Sequence, residues 1–192
     1  INRLDKNDIV SVILYDSSVQ VLVPATKIHD KQSIINKIKR VQASGGTALF
    51  AGVSKGAAEV RKFIARNTVN RVILLSDGQA NEGPSTPEAL GELGASLIKE
   101  GISVSTIGLG RGYNEDLMAR LATKSDGNHI FAETSEKLML AFNNEFGDVL
   151  SVAAQAVTIK IVCASGIRPV QVFGRDADIS GQNVTLSMNQ LY

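Results

Sequence analysis

Short apolar runs alternate along this chain with stretches whose apolar residues recur every three or four positions. The run IVSVILY at 9–15 and the alternating Val19, Val21 and Val23 predict two strands. Only Asp16-Ser17-Ser18 separates them, so the pair is expected to be a hairpin. A helix should follow, capped by Asp30, with Ile34, Ile35, Ile38 and Val41 as its apolar stripe. Lys37, Lys39 and Arg40 fall on its other side. The segment SGGTALFAG leads into a second helix, with Leu49, Val53, Ala57, Val60 and Ile64 at helical spacing. Val72-Ile73-Leu74-Leu75 is wholly apolar, the pattern of a strand buried on both faces of a parallel sheet.

The next helix has two possible starts. Ser85 with Glu88 makes a capping box, or Thr86 caps with Pro87 in the first position. Leu90, Leu93 and Leu97 face inward and Gly101 closes the end. Residues 102–108 read as a strand. Asn114 caps a helix bearing Leu117, Leu121 and Ala122 that ends near Gly127. His129–Ala132 is a short strand, and Ser135 caps a last long helix with Leu138, Phe142, Phe146 and Val149 inside. Such alternation over 8–150 predicts an α/β fold. Its sheet is doubly wound, parallel apart from the hairpin, with helices on both faces. From about 153 the pattern changes. QAVTIKIVCAS, GIRPVQVFG and NVTLSM are strand-like, with turn residues between them. The expected organisation is therefore an α/β domain over 1–152 and the beginning of a β-rich unit over 153–192. Ile1 and Leu4, with Arg3 and Lys6, read as the last turn of a helix already under way, so the chain reads as a piece of a longer protein.

Composition narrows the function without choosing one. A net charge of +1, with both signs mixed along the chain, argues neither for nucleic acid nor for an anionic membrane. The basic stretch RKFIARNTVNR interleaves with a helix stripe and reads as a solvated face. No apolar run approaches the ~18–20 residues of a membrane helix, and no signal peptide is expected within these residues. One cysteine, Cys163, allows no internal disulfide, and its place beside Ile159 and Ile161 predicts a core position. His29 and His129 lack a serine or cysteine partner. GLGRGYN is not G-x-G-x-x-G, and no acidic residue ends a following strand at the right distance.

The candidate chemistry lies where strands end. In doubly wound sheets ligands sit outside the strand carboxyl ends. Asp77 follows the most apolar strand, and Thr47 follows Gly45-Gly46 at a helix start. Read alone, Thr47 is a helix N-cap first, and Asp77 before Gly78 is a turn former. Read together, a hydroxyl, a carboxylate and water are an oxygen set suited to a hard cation such as Mg²⁺.

NDIVSVILYDSSVQVLVP, SGGTALFAGV, RVILLSDGQAN, ISVSTIGLG and NEDLMARLA, in this order, resemble a von Willebrand factor type A domain of the bacterial kind that a β-rich region follows. The resemblance covers about residues 1–150. It implies a metal-ion-dependent adhesion site. In that family a D-x-S-x-S motif on the first strand, a Thr of the second loop and an Asp of the third hold the cation. Thr47 then supplies the hydroxyl and Asp77 the third-loop carboxylate. The implied cofactor is Mg²⁺, with Mn²⁺ or Ca²⁺ as substitutes, and the implied partner is a protein whose acidic side chain completes the coordination. The implied setting is adhesion or scaffolding outside a bacterial cell, without catalysis. The first strand and its D-x-S-x-S loop are absent from these residues, and Asp16-Ser17-Ser18 does not replace them. The expected consequences are an incomplete cation site and a sheet without its central strand. The missing segment would come from upstream or from another chain. Oligomerisation stays open. Two rival readings remain, a metal-free assembly module and a phosphate-using α/β enzyme.

Overall fold

The computed structural model describes residues 1–192 except positions 43, 66, 67, 175 and 192 and the side chains at 148–150, 189 and 190. The described contacts divide into two units, Ile1–Val149 and Leu150–Tyr192.

The first unit holds two sheets. Strands β1 (Ile9–Tyr15) and β2 (Val19–Lys27) form the hairpin, with Tyr15 opposite Val19 and Ile9 opposite Lys27. Strands β3 (Asn70–Ser76), β4 (Ile102–Leu109) and β5 (His129–Ala132) are parallel, in the order β3-β4-β5. The helices are α1 (Lys31–Ile38), α2 (Leu49–Arg61), α3 (Pro87–Lys99), α4 (Glu115–Lys124) and α5 (Ser135–Leu150). One core packs Val53 of α2, Leu90 of α3 and Leu121 of α4 against Leu74 and Val104. On the opposite face Ala141 and Phe142 of α5 pack against Ile73, Ile107 and Ala132. Alternate residues of β3 thus point to different helix layers, as the pleat requires.

The buried carboxylate of Glu145 fastens α5 to the sheet. Arg71 Nη1 donates to Glu145 Oε1 at 2.5 Å, the Ser105 hydroxyl donates to the same oxygen, and Asn128 Nδ2 donates to Oε2 at 3.0 Å. A charge taken out of water needs this density of partners.

Local expectations met several corrections. Val41 and Ile64 lie beyond the ends of α1 and α2 and are exposed. Asp30 does cap α1, accepting from Ser33 N at 2.9 Å. Thr86, not Ser85, caps α3, with Pro87 in the first turn. Ser135 is already helical, and the hydroxyl of Thr134 accepts from Lys137 N. Val149 lies outside the described side chains. The amino end makes an isolated turn, with Leu4 N donating to Ile1 O, and not a helix end.

In the second unit β6 (Ala154–Val162), β7 (Asp178–Ser180) and β8 (Asn183–Leu191) form an antiparallel sheet ordered β6-β8-β7. GIRPVQVFG is not a strand, since Pro169 removes a ladder donor and the segment runs irregularly. Cys163 is half-buried beyond β6, and Ile159 and Ile161 are well exposed, so the expected core there does not form within this unit.

The largest departure concerns β3. Among the described residues β1 pairs only with β2, and β3 only with β4. The phenol of Tyr15, at the carboxyl end of β1, donates to the carbonyl of Leu75, near the carboxyl end of β3, at 2.5 Å. The carboxyl ends of these two unpaired edges therefore lie together. Between them lies a slot of about 1080 Å³. The expectation that residues 72–75 are buried on both faces holds for Leu74 at 4% exposure and fails for Leu75 at 37%. The reason is positional, because β3 lacks a neighbour on one side.

Candidate functional site

Three loops meet at the carboxyl rim of the first unit. The turn of the hairpin is an Asx turn: Asp16 Oδ1 accepts from Ser18 N at 2.7 Å and from Ser18 Oγ at 3.0 Å. Its other oxygen accepts from Ser44 Oγ at 3.1 Å. The Ser18 N–H, then the two serine hydroxyls, hold the Asp16 carboxyl below the usual carboxylate range. Ala48 N donates to Asp16 O at 2.7 Å, and Gly46 N donates to Ser17 Oγ at 2.8 Å. The hairpin turn thus carries the Gly-Gly-Thr loop from below.

Asn81 fixes that loop from the other side. Thr47 N donates to Asn81 Oδ1 at 2.7 Å, and Asn81 N returns a bond to Thr47 O at 3.3 Å. A Cβ at position 46 would approach Asn81 Oδ1 to 2.8 Å and Ser17 Oγ to 3.0 Å, so a larger residue there would displace the side chains that hold the loop. The third loop leaves β3 through Ser76, whose hydroxyl donates to Gly78 O at 3.3 Å.

This frame brings Thr47 and Asp77 to one end of the slot. A Cβ on Gly78 would stand 3.4 Å from Thr47 Oγ1, so the hydroxyl faces the residue next to Asp77. Thr47 does not cap α2: the cap is Ala48, with no side-chain cap bond. Among the described contacts no hydrogen bond engages the Thr47 hydroxyl or the exposed Asp77 carboxylate. Both are oxygen donors of the kind a hard cation takes, and they are too few to hold one, since Mg²⁺ takes about six. Among the described residues no group of three His, Cys, Asp or Glu could hold a metal. Among the described residues a complete cation site is therefore not formed.

Sequence reasoning set Asp16-Ser17-Ser18 aside as a substitute ligand set, and it overlooked that this turn holds the Thr47 loop. It also passed over Asn81. The signal for Asn81 was its position in SDGQAN, a short amide side chain four residues past Asp77 in a turn.

The other candidates resolve structurally. In GLGRGYN a Cβ on Gly108 would fall inside the Tyr113 ring, so that glycine makes room for an aromatic side chain. Thr106 Oγ1 donates to Met118 O, which leaves it to accept from His129 Nδ1 at 2.8 Å, while Tyr113 Oη lies 3.3 Å from Nε2. Burial holds the His129 imidazole below its ordinary value. His29 is exposed.

The family model for the von Willebrand factor type A domain matches residues 1–145. The uncharacterized protein YfbK of Escherichia coli K12 is 25% identical over 162 residues, which are 84% of this chain and 28% of YfbK. The chain spans less than half the length of the curated relatives it matches. A von Willebrand factor type A structure from Catenulispora acidiphila superposes with TM-score 0.69 at 15% identity, over 95% of this chain and 46% of the other. Proximal thread matrix protein 1 from the mussel byssus, in a structure with a zinc-occupied MIDAS motif, superposes with TM-score 0.55 at 19% identity, over 80% and 37% of the two chains. Both structural likenesses are likenesses of fold. With its parallel β3-β4-β5 sheet between helix layers and the matching family model, this chain belongs to the von Willebrand factor type A domain family, a family of protein-interaction modules.

Proposed function

We propose that residues 1–192 carry the greater part of a protein-binding module whose rim engages an acidic side chain of a partner through a divalent cation, Mg²⁺ or Mn²⁺. One observation carries this reading. Thr47 and Asp77, from two different loops, meet at the rim of the slot with no hydrogen bond to their side-chain oxygens among the described contacts, on loops locked by Ser17 and Asn81. The zinc-occupied motif of the mussel protein lends it support. Thr47 and Asp77 would contribute two of the cation's oxygens. The cation would supply a positive charge to which a partner carboxylate can bind. No bond is made or broken, and the setting is adhesion or scaffolding outside the cytoplasm.

The test is calorimetric titration of Mn²⁺ into the full-length polypeptide that contains residues 1–192. Saturable binding that Thr47→Ala and Asp77→Ala each abolish is the expected result. Binding indifferent to both substitutions would overturn the reading and favour a metal-free assembly surface.

A further inference from the structure

We propose that Asp77–Gly78 is a site of self-modification, where the Asp77 carboxyl condenses with the next backbone amide and the residue becomes isoaspartate. The tripeptide Ser-Asp-Gly occurs twice in the chain, at 76–78 and at 125–127. Both have the same local chemistry, so a difference in their reactivity comes from the fold.

The reaction has two steps. The Gly78 nitrogen bonds to Cγ of the Asp77 carboxylic acid, and the acid's OH leaves with the amide hydrogen as water. The product is a five-membered succinimide. Water then opens the ring. Attack at the main-chain carbonyl of Asp77 breaks its bond to Gly78 N, so the chain runs through Cγ and a free α-carboxylate remains. Attack at Cγ restores aspartate. Water is the sole co-reactant. Glycine in the second position favours closure because no Cβ stands in the way.

At 125–127 the fold withholds the nucleophile. Asp126 takes the left-handed conformation, with φ 57°, and Gly127 N donates to Ala122 O at 2.9 Å. These two features close the carboxyl end of α4. A Cβ on Gly127 would come within 2.1 Å of Val104 O, so the backbone there is pressed against β4. Ser125 is buried: its hydroxyl accepts from Val104 N at 3.1 Å and donates to Leu121 O at 2.8 Å. Ring formation would consume the Gly127 N–H and undo this helix end.

At 76–78 none of these restraints recurs. Asp77 is exposed, and among the described contacts no acceptor engages Gly78 N. The Ser76 hydroxyl bonds to Gly78 O, which leaves that nitrogen alone. A Cβ on Gly78 would meet only Thr47 Oγ1, at 3.4 Å, an ordinary contact. The loop therefore has room for the ring.

Isoaspartate adds one carbon to the main chain at 77 and moves the carboxylate from its place beside Thr47. Loss of cation binding with age would follow, and that consequence rests on the cation reading. The modification itself does not.

The experiment incubates the folded 192-residue chain in EDTA at neutral pH and body temperature, with a parallel sample in urea. Both are digested at mildly acidic pH, and isoaspartate at each site is quantified by electron-transfer mass spectrometry. In the folded chain isoaspartate should accumulate at 77 and stay at its starting level at 126. In urea both sites should convert alike. Gly78→Ala, which the loop can accommodate, should abolish accumulation at 77 while the melting transition is kept. Should that variant not fold, the comparison of folded and urea samples still decides. No accumulation at 77, or equal accumulation at both sites of the folded chain, would overturn the proposal. Because EDTA removes divalent cations, these outcomes are separate from failure of the cation reading.

Discussion

β4 and β3 lie side by side, and their burial runs opposite to their composition. β4 reads ISVSTIGL, yet seven of its 8 residues are buried, with Ser103, Ser105 and Thr106 among them. β3 has Val-Ile-Leu-Leu at its centre, yet only Leu74 and Ser76 are buried. The polar residues of β4 are tolerated because their hydroxyls have partners: Ser105 gives a bond to Glu145 and Thr106 one to Met118 O. The difference lies in neighbours. β4 has a strand on each side and helices on both faces, while β3 has one strand and a slot. Burial follows position in the sheet, and an apolar strand left half open marks a place where another chain segment belongs.

Substitutions can break this contrast. Val104→Asp, and Leu74→Asp on the covered face of β3, should abolish the cooperative thermal transition, because each forces a charge into the closed core. Each should cost about 4–5 kcal/mol or more, against the roughly 5–15 kcal/mol that holds a whole domain together. Leu75→Asp, one residue on, should change urea stability by less than about 1 kcal/mol. An equal collapse at Leu75 would mean that β3 has no open side.

Glu145→Gln tests the anchor of the covered strands. It leaves the Arg71 charge buried without its carboxylate, and the expected loss by urea denaturation is about 3–5 kcal/mol. Asn81→Ala removes the acceptor for Thr47 N and should cost about 1 kcal/mol, with the amide resonance of Thr47 shifted. A silent Thr47 amide would contradict the role given to Asn81.

The smallest effect is one of pH. Burial lowers the His129 value in the folded chain, so below about 6.5 the unfolded state takes up more protons than the folded one. Stability should therefore fall as pH drops through the ordinary histidine range. His129→Gln should flatten that dependence in melting curves.

Much of this was legible in the chain. Periodicity located β1, β3, β4, β5 and the helices α1 to α5, because each carries apolar residues at strand or helix spacing. Asp30 and Asn114 announced their helix starts and make the cap bonds expected of them. Thr47 and Asp77 stood out as strand-end oxygens. The bonds locking their loops were not legible, since Ser17 and Asn81 lie 30 and 34 positions from Thr47 and no local rule joins them. Helix ends failed at Val41 and Ile64 for a simple reason. An apolar residue in phase with a stripe need not be helical, and both side chains lie in the open. In the β-rich stretch the strands β6 and β8 were legible, and the core position of Cys163 was not, because the alternation is real but its apolar side is uncovered within that unit. Val157, Ile159 and Ile161 pair across with Met188, Leu186 and Val184, and of these only Val184 is buried among the described side chains.

The central claim is that β3 is closed on the β4 side and open on the other. Amide hydrogen exchange on the 192-residue chain, resolved by residue, tests it most directly. The account predicts slow exchange throughout β4, with fast exchange at the alternate amides of β3 and β1 that face the slot. Uniform slow exchange along β3 and β1 to the level of β4 would contradict it, because the slot would then already be filled.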